Sequence, residues 1–224
     1  MRENMASMRK AVIFDMDGVL VDNREAHIDA FALFCKRNGI PFARETLEKF
    51  FGMGNAEIMP VLLPPEVIQR KGLAALSDEK EATYRELYAD TIEPVRGLLP
   101  FLHALRAAGM KTAVGSSGMK KNVDFVLEKC AIADCFDVVV NGDMVTRCKP
   151  DPEIYLKSAE LLGLEPAECV VVEDSPVGIE SANRAGMAVV ALTTTFPYEK
   201  IATTKTDLIA SDFTSLTPAV VRQL

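Results

Sequence analysis

The chain has 224 residues, of which 49% are apolar, and it carries a formal net charge of −7. This length allows one large domain or a core with a smaller inserted domain, and no apolar run is long enough to cross a bilayer. The acidic balance argues against nucleic acid as the main partner, because phosphate backbones require clustered Lys and Arg. A small anionic substrate remains compatible with this charge, since a bound divalent cation can reverse the local field.

Residues 1–8 contain three methionines and lack the apolar stretch that a secretory signal peptide requires. They predict a disordered or extraneous N-terminal segment ahead of the fold. The five cysteines are an odd number at spacings unlike those of metal sites, which is typical of reduced thiols. We therefore expect a soluble, cytoplasmic protein with no membrane partner, and we expect it to be a monomer.

Short apolar runs alternate with amphipathic segments over most of the chain and predict strands and helices in turn. The predicted strands are Ala11–Phe14, Lys111–Gly115, Phe136–Asn141, Cys169–Glu173, Met187–Leu192 and a short edge strand Asp207–Ala210, and the helices between them are Lys120–Lys129, Pro152–Leu162 and Pro176–Ala185. Strands that alternate with helices form a parallel sheet with right-handed crossovers. The fold class predicted is α/β, with a doubly wound parallel-sheet (Rossmann-like) core.

The interval between the first and second predicted strands contains no convincing strand pattern. It predicts helices separated by segments rich in Gly and Pro: Arg24–Arg37, Arg44–Phe51, Ala56–Leu62, Pro65–Leu76 and Ser77–Thr91. A crossover this long is better explained by an inserted all-helical domain than by a loop. We therefore predict an α/β core formed by residues 9–21 and 95–224, with residues 22–94 inserted as a helical cap.

The first predicted strand ends at two aspartates, Asp15 and Asp17, which are separated by one residue and followed by a glycine. A buried strand delivers such carboxylates to the sheet edge where open α/β folds bind ligands. Two neighbouring carboxylates repel each other unless a cation lies between them or one of them holds a proton. This pattern predicts a metal site or acid–base chemistry.

Other polar side chains follow three more of the predicted strands and should converge with the aspartates at one sheet edge. They are Ser116 and Ser117 after the second strand, Lys149 beyond the third, and Glu173 and Asp174 at the end of the fourth. Carboxylates without a nearby His or Cys suit a hard cation such as Mg²⁺. A hydroxyl and backbone N–H groups at a helix start, together with a lysine, suit a phosphate. The set predicts phosphoryl transfer, in which an aspartate can be the nucleophile and form an aspartyl-phosphate.

Four motifs occur in order and at compatible spacings, and together they resemble the haloacid dehalogenase superfamily. They are Asp15–Val19, the Ser116 turn, Lys149–Pro152 and Glu173–Ile179. The similarity runs over about residues 10–195 and is strongest to the helical-cap phosphatases and the β-phosphoglucomutases. It implies that Asp15 is the nucleophile, and that Asp17 protonates the leaving group and then activates water.

The resemblance also implies a ligand set. Asp15, the backbone carbonyl of Asp17 and Asp174 would hold Mg²⁺, with Glu173 assisting directly or through water. Ser116 and Lys149 would bind the transferring phosphoryl group, and Ser117 is placed with them at the phosphate site or in support of it. An aspartate at position 17 favours phosphatase or mutase chemistry over dehalogenation.

The predicted cap shares less with this superfamily. His27 resembles a histidine of the mutase cap, although many related phosphatases carry one there too. Asn55 stands where the mutases have an arginine that binds a second phosphate of the substrate, and Lys80 could also face the substrate. The absence of that arginine at Asn55 favours a phosphatase over a mutase. With the core motifs, the resemblance implies a Mg²⁺-dependent phosphatase acting on a small phosphorylated metabolite, with sugar phosphates as the preferred class. The open alternatives are a β-phosphoglucomutase-like isomerase, an inorganic pyrophosphatase and a non-enzymatic module that binds a phosphorylated ligand.

Overall fold

The structure is a computed structural model that describes residues 8–50 and 53–224, without the side chain of Lys49. The chain divides into two compact units, one formed by the residues up to Asp22 together with Glu93–Leu224, and the other by Asn23–Ile92. Apart from Met8, the N-terminal segment predicted for residues 1–8 lies outside the described residues. So does Phe51, the predicted end of a cap helix.

Helices and strands alternate through the first unit, whereas the described part of the second unit contains helices and no strand. The helices, in chain order, are α1 (Arg24–Arg37), α2 (Arg44–Leu47), α3 (Asn55–Leu62), α4 (Pro65–Lys71), α5 (Leu73–Tyr88), α6 (Leu98–Ala107), α7 (Lys120–Lys129), α8 (Glu153–Leu162), α9 (Pro176–Arg184), α10 (Tyr198–Ile201) and α11 (Pro218–Arg222). Among the described helices, none combines the length and the apolar character that crossing a membrane would need. The cytoplasmic location and the monomeric state stay predictions.

The first unit contains a six-stranded sheet. Its strands are β1 (Ala11–Phe14), β2 (Lys111–Gly115), β3 (Val138–Val140), β4 (Cys169–Glu173), β5 (Ala188–Leu192) and β6 (Leu208–Ala210). All neighbours pair in parallel, in the order β3-β2-β1-β4-β5-β6. Every residue of β1 is buried, as expected for a central strand of a sheet that is covered on both faces. The predicted doubly wound α/β core is confirmed.

Side chains of β1 alternate between two apolar layers, because successive strand residues point to opposite faces of a sheet. Ile13 belongs to a core cluster that includes Tyr155 of α8 and Ile179 of α9. On the other face, the ring centroid of Phe14 lies 6.2 Å from that of Phe101 in α6. Helices on both faces therefore exclude water from the strand that leads to the aspartates.

The strand predicted over Phe136–Asn141 is too long, since β3 covers only Val138–Val140. This strand lies at the sheet edge and pairs only with β2, from Val138 opposite Ala113 to Val140 opposite Gly115. The Phe136 N–H donates to the Ala133 carbonyl and Asn141 caps a 3-10 turn, so both ends of the predicted segment belong to turns.

The second unit is built around the packing of α1 on α5, with a core that includes Phe31, Phe34 and Leu76. Several predicted helix boundaries in it are wrong, including the end predicted at Thr91, since α5 ends at Tyr88. The helix predicted to run through Leu76 ends at Lys71, and the next begins at Leu73, because Gly72 has a φ of 80° that interrupts the helical backbone. The helix predicted from Arg44 ends at Leu47 and continues as a 3-10 turn, Glu48–Phe50.

Candidate active site

The carboxyl end of β1 lies between the ends of β2 and β4. Phe14 is in register with Val114 on one side and with Val172 on the other. The Asp15 N–H continues the ladder by donating to the Val172 carbonyl at 3.0 Å. This register places Asp15 beside the residues that end β2 and β4, at the point where the strand order reverses and open α/β sheets bind ligands.

Lys149 joins two of the acidic side chains at this edge. Its Nζ donates to Asp15 Oδ1 at 2.7 Å and to Glu173 Oε1 at 2.8 Å, and it lies 4.7 Å from the ring centroid of Tyr155. Lys149, Asp15 and Glu173 are all buried. Burial opposes the charged ammonium, but the two carboxylates outweigh this effect and raise the pKa of Lys149. Lys149 is therefore held as a cation inside the site.

The Glu173 carboxylate is fully buried and accepts five hydrogen bonds. Oε1 accepts from Lys149 and from the Tyr155 hydroxyl, each at 2.8 Å. Oε2 accepts from the Asp174 N–H at 2.8 Å and from the N–H and the hydroxyl of Ser175, both at 3.0 Å. Burial opposes the ionised form, but Lys149 and the hydrogen bonds prevail and lower the pKa of Glu173. This carboxylate fixes the position of Lys149 and shapes the start of the loop after β4.

Three buried carboxylates meet at the site in an arrangement that suits a hard cation. Asp15, Glu173 and Asp174 each offer an oxygen, and these oxygens lie within 4.8 Å of one another. Burial and the neighbouring negative charges raise the pKa of Asp174 well above its ordinary value. Burial, only partly offset by Lys149, raises the pKa of Asp15 to about 7. Oxygen donors are the ligands that Mg²⁺ prefers, and a divalent cation would relieve the repulsion, so the donor set fits Mg²⁺.

Gly18 and Thr195 lie directly against the Asp174 carboxylate, and Thr194, which also follows β5, holds Gly18. A Cβ at Gly18, whose φ is 77°, would lie 2.0 Å from Asp174 Oδ2 and 2.6 Å from Thr195 Oγ1. The Thr195 side chain is hydrogen-bonded to Asp174, and the Thr194 hydroxyl donates to the Gly18 carbonyl. Sequence reasoning missed both threonines. The only signal for them is a run of three threonines directly after a predicted strand.

Asp17 lies in the turn that follows Asp15 and is partly exposed. The turn is closed by the Gly18 N–H, which donates to the Val21 carbonyl at 2.8 Å. Asp17 therefore stands two residues beyond the buried Asp15, on backbone whose path is fixed by hydrogen bonds. Asp17 is less buried than Asp15, as suits a group that exchanges protons with a substrate or with water.

Ser116 and Ser117 follow β2, the strand next to β1. Ser116 is buried, and its Oγ accepts from the Gly118 N–H at 3.0 Å, so the hydroxyl already stabilises the turn that leads to α7. Ser117 is partly exposed. A Cβ at Gly142 would lie 2.4 Å from the Ser117 carbonyl oxygen, so the loop after β3 passes directly against this turn.

His27, Asn55 and Lys80 belong to a polar network inside the second unit. Lys80 is 2% exposed, and its Nζ lies 2.8 Å from His27 Nδ1 and 2.8 Å from Glu81 Oε1. Asn55 Nδ2 donates to the same Glu81 oxygen at 2.6 Å, and the His27 ring stacks on Tyr84 with centroids 4.1 Å apart. The three predicted residues are thus brought together, with Glu81 as a partner that sequence reasoning missed.

A family model described as haloacid dehalogenase-like hydrolase matches residues 12–192. This range begins within β1, ends with β5 and includes Asp15, Lys149 and Asp174. The match therefore covers every strand except β6, as well as the whole helical unit.

Three curated relatives are similar to this chain over most of their length. It is 32% identical over 213 residues to the validoxylamine A 7′-phosphate phosphatase of Streptomyces hygroscopicus subsp. limoneus, covering 93% of this chain and 96% of the relative. It is 32% identical to a phosphorylated carbohydrates phosphatase of Thermotoga maritima, covering 80% and 82%. It is 31% identical to the β-phosphoglucomutase of Bacillus subtilis, covering 82% and 83%.

Among solved structures, that of CbbY from Rhodobacter sphaeroides in complex with phosphate superposes with a TM-score of 0.86. The two chains are 25% identical, and the match covers 97% of this chain and 100% of the other. The likeness thus extends over both the sheet unit and the helical unit.

Proposed function

This chain belongs to the haloacid dehalogenase-like hydrolase family, and we propose that it is a Mg²⁺-dependent phosphatase that hydrolyses small phosphate monoesters, with sugar phosphates preferred. The family predicted from the four motifs is confirmed. The observation that carries the proposal is the position of Lys149, which lies between the Asp15 and Glu173 carboxylates, the two that cluster with Asp174. Phosphoryl transfer depends mainly on positioning and charge, and this cluster supplies both.

Asp15 is the proposed nucleophile. A carboxylate oxygen of Asp15 forms a bond to phosphorus as the bond from phosphorus to the ester oxygen breaks, and the leaving oxygen takes a proton from Asp17. Asp17 then accepts a proton from water as the water oxygen bonds to phosphorus. The bond between phosphorus and Asp15 breaks, which releases inorganic phosphate and restores both carboxyl groups.

Asp15, Asp174 and the Asp17 carbonyl would hold Mg²⁺, which when bound would offset charge on the phosphoryl oxygens. The five hydrogen bonds that the Glu173 carboxylate accepts favour an indirect role for it, through Lys149 and through the backbone at Asp174. Lys149 lies against Asp15, so its ammonium can contact oxygens of the phosphoryl group that Asp15 receives. Ser116, at the end of the adjacent strand, offers a hydroxyl and the N–H groups of its turn.

The helical unit is proposed to select the substrate. The phosphorylated carbohydrates phosphatase of Thermotoga maritima supports sugar phosphates as the class, and the buried network around Lys80 adds a set of polar groups to this unit. A β-phosphoglucomutase-like isomerase is the second candidate, favoured by the 31% identity to the Bacillus subtilis mutase.

A phosphate-release screen tests the proposal. The panel contains sugar phosphates, nucleotides, phosphoglycolate and pyrophosphate, each with Mg²⁺ and with EDTA. We expect Mg²⁺-dependent release from sugar phosphates, and none from the Asp15→Asn variant. Conversion of β-glucose 1-phosphate to glucose 6-phosphate without net release of phosphate would support the isomerase instead. No release from any compound, together with no conversion of β-glucose 1-phosphate to glucose 6-phosphate, would contradict both enzymes.

A further inference from the structure

The loop that carries Lys149 is exposed along nearly all of its length. Between Asp143 and Pro150, Lys149 is the only buried residue. Ordering an exposed segment costs about 1–2 kcal/mol of backbone entropy for each residue. Contacts elsewhere in the loop must therefore offset this cost if the Lys149 side chain is to stay at one position beside Asp15.

Glu153, the first residue of α8, ties the part of the loop that precedes Lys149 to this helix. Its Oε1 accepts from the Thr146 N–H at 2.9 Å. Its Oε2 accepts from the Thr146 hydroxyl at 2.8 Å and from the Arg147 N–H at 2.9 Å. The hydrogen bonds from Thr146 and Arg147 lower the pKa of Glu153, so it is ionised at neutral pH and the hydrogen bonds are charge-assisted.

Arg147 and Asp151 flank Lys149 and close the loop into a turn. The Arg147 guanidinium pairs with Asp151 Oδ2 at 2.9 Å, and the Asp151 N–H donates to the Cys148 carbonyl at 3.0 Å. The other carboxylate oxygen of Asp151 accepts from the Glu153 N–H at 3.0 Å. Both arms of the turn are thus attached to Glu153, one through its side chain and the other through its backbone.

We propose that Glu153 is a positioning residue for phosphate binding, which it supports by holding the turn that presents Lys149 to the phosphoryl group. The inference rests on the proposed function, in which Lys149 binds the phosphoryl group. Glu153 acts through the backbone of Thr146 and Arg147 and does not itself touch the substrate. The residues that support phosphate binding would then include one at the start of α8, in addition to those that contact the phosphoryl group.

The test compares Glu153→Ala and Glu153→Gln with Glu160→Ala, which removes an exposed glutamate from the same helix. The readouts are the affinity for orthophosphate, measured by calorimetry with Mg²⁺ present, and the rise in melting temperature caused by Mg²⁺ alone. We expect Glu153→Ala to bind orthophosphate about tenfold more weakly, a loss that corresponds to about one charge-assisted hydrogen bond. The effect of Mg²⁺ should stay at the wild-type value, because no proposed metal ligand changes.

Glu153→Gln keeps the length of the side chain and one carbonyl acceptor, but its amide nitrogen cannot accept from Arg147. We expect it to recover part of the loss, with orthophosphate binding about threefold weaker than wild type. This variant also serves as the test if the alanine variant fails to fold. Glu160→Ala should match the wild type in both readouts.

Orthophosphate affinity within twofold of wild type in a folded Glu153→Ala variant would overturn the inference, and so would an equal loss in Glu160→Ala. Failure of the proposed function has a different signature. In that case the wild-type protein itself neither binds orthophosphate nor releases phosphate from any ester, and both proposals fail together.

Discussion

Lys149 and Asp15 lie 134 positions apart in the chain, and their side chains meet at 2.7 Å in the interior of the sheet unit. The ammonium is also bound to Glu173, so one cation faces two carboxylates, with Asp174 as a third close by. The excess of negative charge in this cluster is what makes a divalent cation fit.

Replacing Lys149 with Met should destabilise the protein and remove most of its activity. Two buried carboxylates lose their counter-charge, and breaking a buried ion pair in this way costs about 3–5 kcal/mol. Loss of a charged phosphate contact should lower kcat by about 10²- to 10³-fold. Urea unfolding and phosphate release measure the two effects. Lys129→Met, at an exposed position of α7, is the control. An unchanged unfolding free energy for Lys149→Met would mean that the buried pair contributes nothing.

Mg²⁺ should raise the melting temperature of the wild type but not that of Asp174→Asn. A ligand that binds only the folded state at 100 times its dissociation constant adds about 2.7 kcal/mol of stability. In EDTA the Asp174→Asn variant should have the higher melting temperature, because it removes a carboxyl group whose ionisation is opposed by burial and by the neighbouring carboxylates. Asp124→Asn, at an exposed position, should respond to Mg²⁺ as the wild type does. A full Mg²⁺ response from Asp174→Asn would remove Asp174 from the metal site.

Tyr155→Phe should weaken the site without removing any proposed catalytic group. The change deletes the hydroxyl that donates to Glu173 Oε1 and leaves the buried ring under Lys149 in place. We expect a loss of about 1 kcal/mol in stability, the net value of one hydrogen bond. We also expect a few-fold fall in kcat. Tyr198→Phe, where the tyrosine is 60% exposed, is the matched control. Equal effects at both positions would show that the hydroxyl of Tyr155 has no special role.

Gly178→Ala should be destabilising, although alanine is favoured over glycine inside a helix by about 1 kcal/mol. The added Cβ would lie 1.6 Å from Glu173 Oε1, so the carboxylate or the helix must move. Overpacking of this kind costs about 1–3 kcal/mol. Thermal unfolding measures whether the variant is less or more stable than the wild type. Glu180→Ala, at an exposed position of the same helix, is the control. A stabilised Gly178→Ala protein would show that Glu173 can move freely.

The strand that leads to the site could be predicted to the residue, because Ala11–Phe14 is a continuous apolar run that ends abruptly in aspartates. The edge strand β3 was predicted too long, since its length depends on pairing with β2 alone. The break at Gly72 was placed wrongly, because the apolar pattern continues through Leu73 and Leu76 and a single glycine does not by itself end a helix.

That Asp15, Lys149 and Asp174 lie together at one edge of the sheet could be predicted from the short motifs that surround them in the chain. Tyr155 could not, because a tyrosine in an amphipathic helix resembles an ordinary core residue and its partner Glu173 lies 18 positions away. Glu81 could not be identified either, because its partner Asn55 lies in a different helix, 26 positions away in the chain. Residues that act by holding another side chain become visible only when the fold brings the two together.

The central claim is that Asp15 accepts the phosphoryl group, and trapping the intermediate tests it most directly. The protein would be mixed with Mg²⁺ and the best ester from the screen, carrying a radiolabelled phosphate, and quenched in acid during turnover. We predict label on the peptide that contains Asp15, stable in acid and released by alkali, and none on the Asp15→Asn variant. Label on a different residue, or normal turnover by a folded Asp15→Asn protein, would contradict the account.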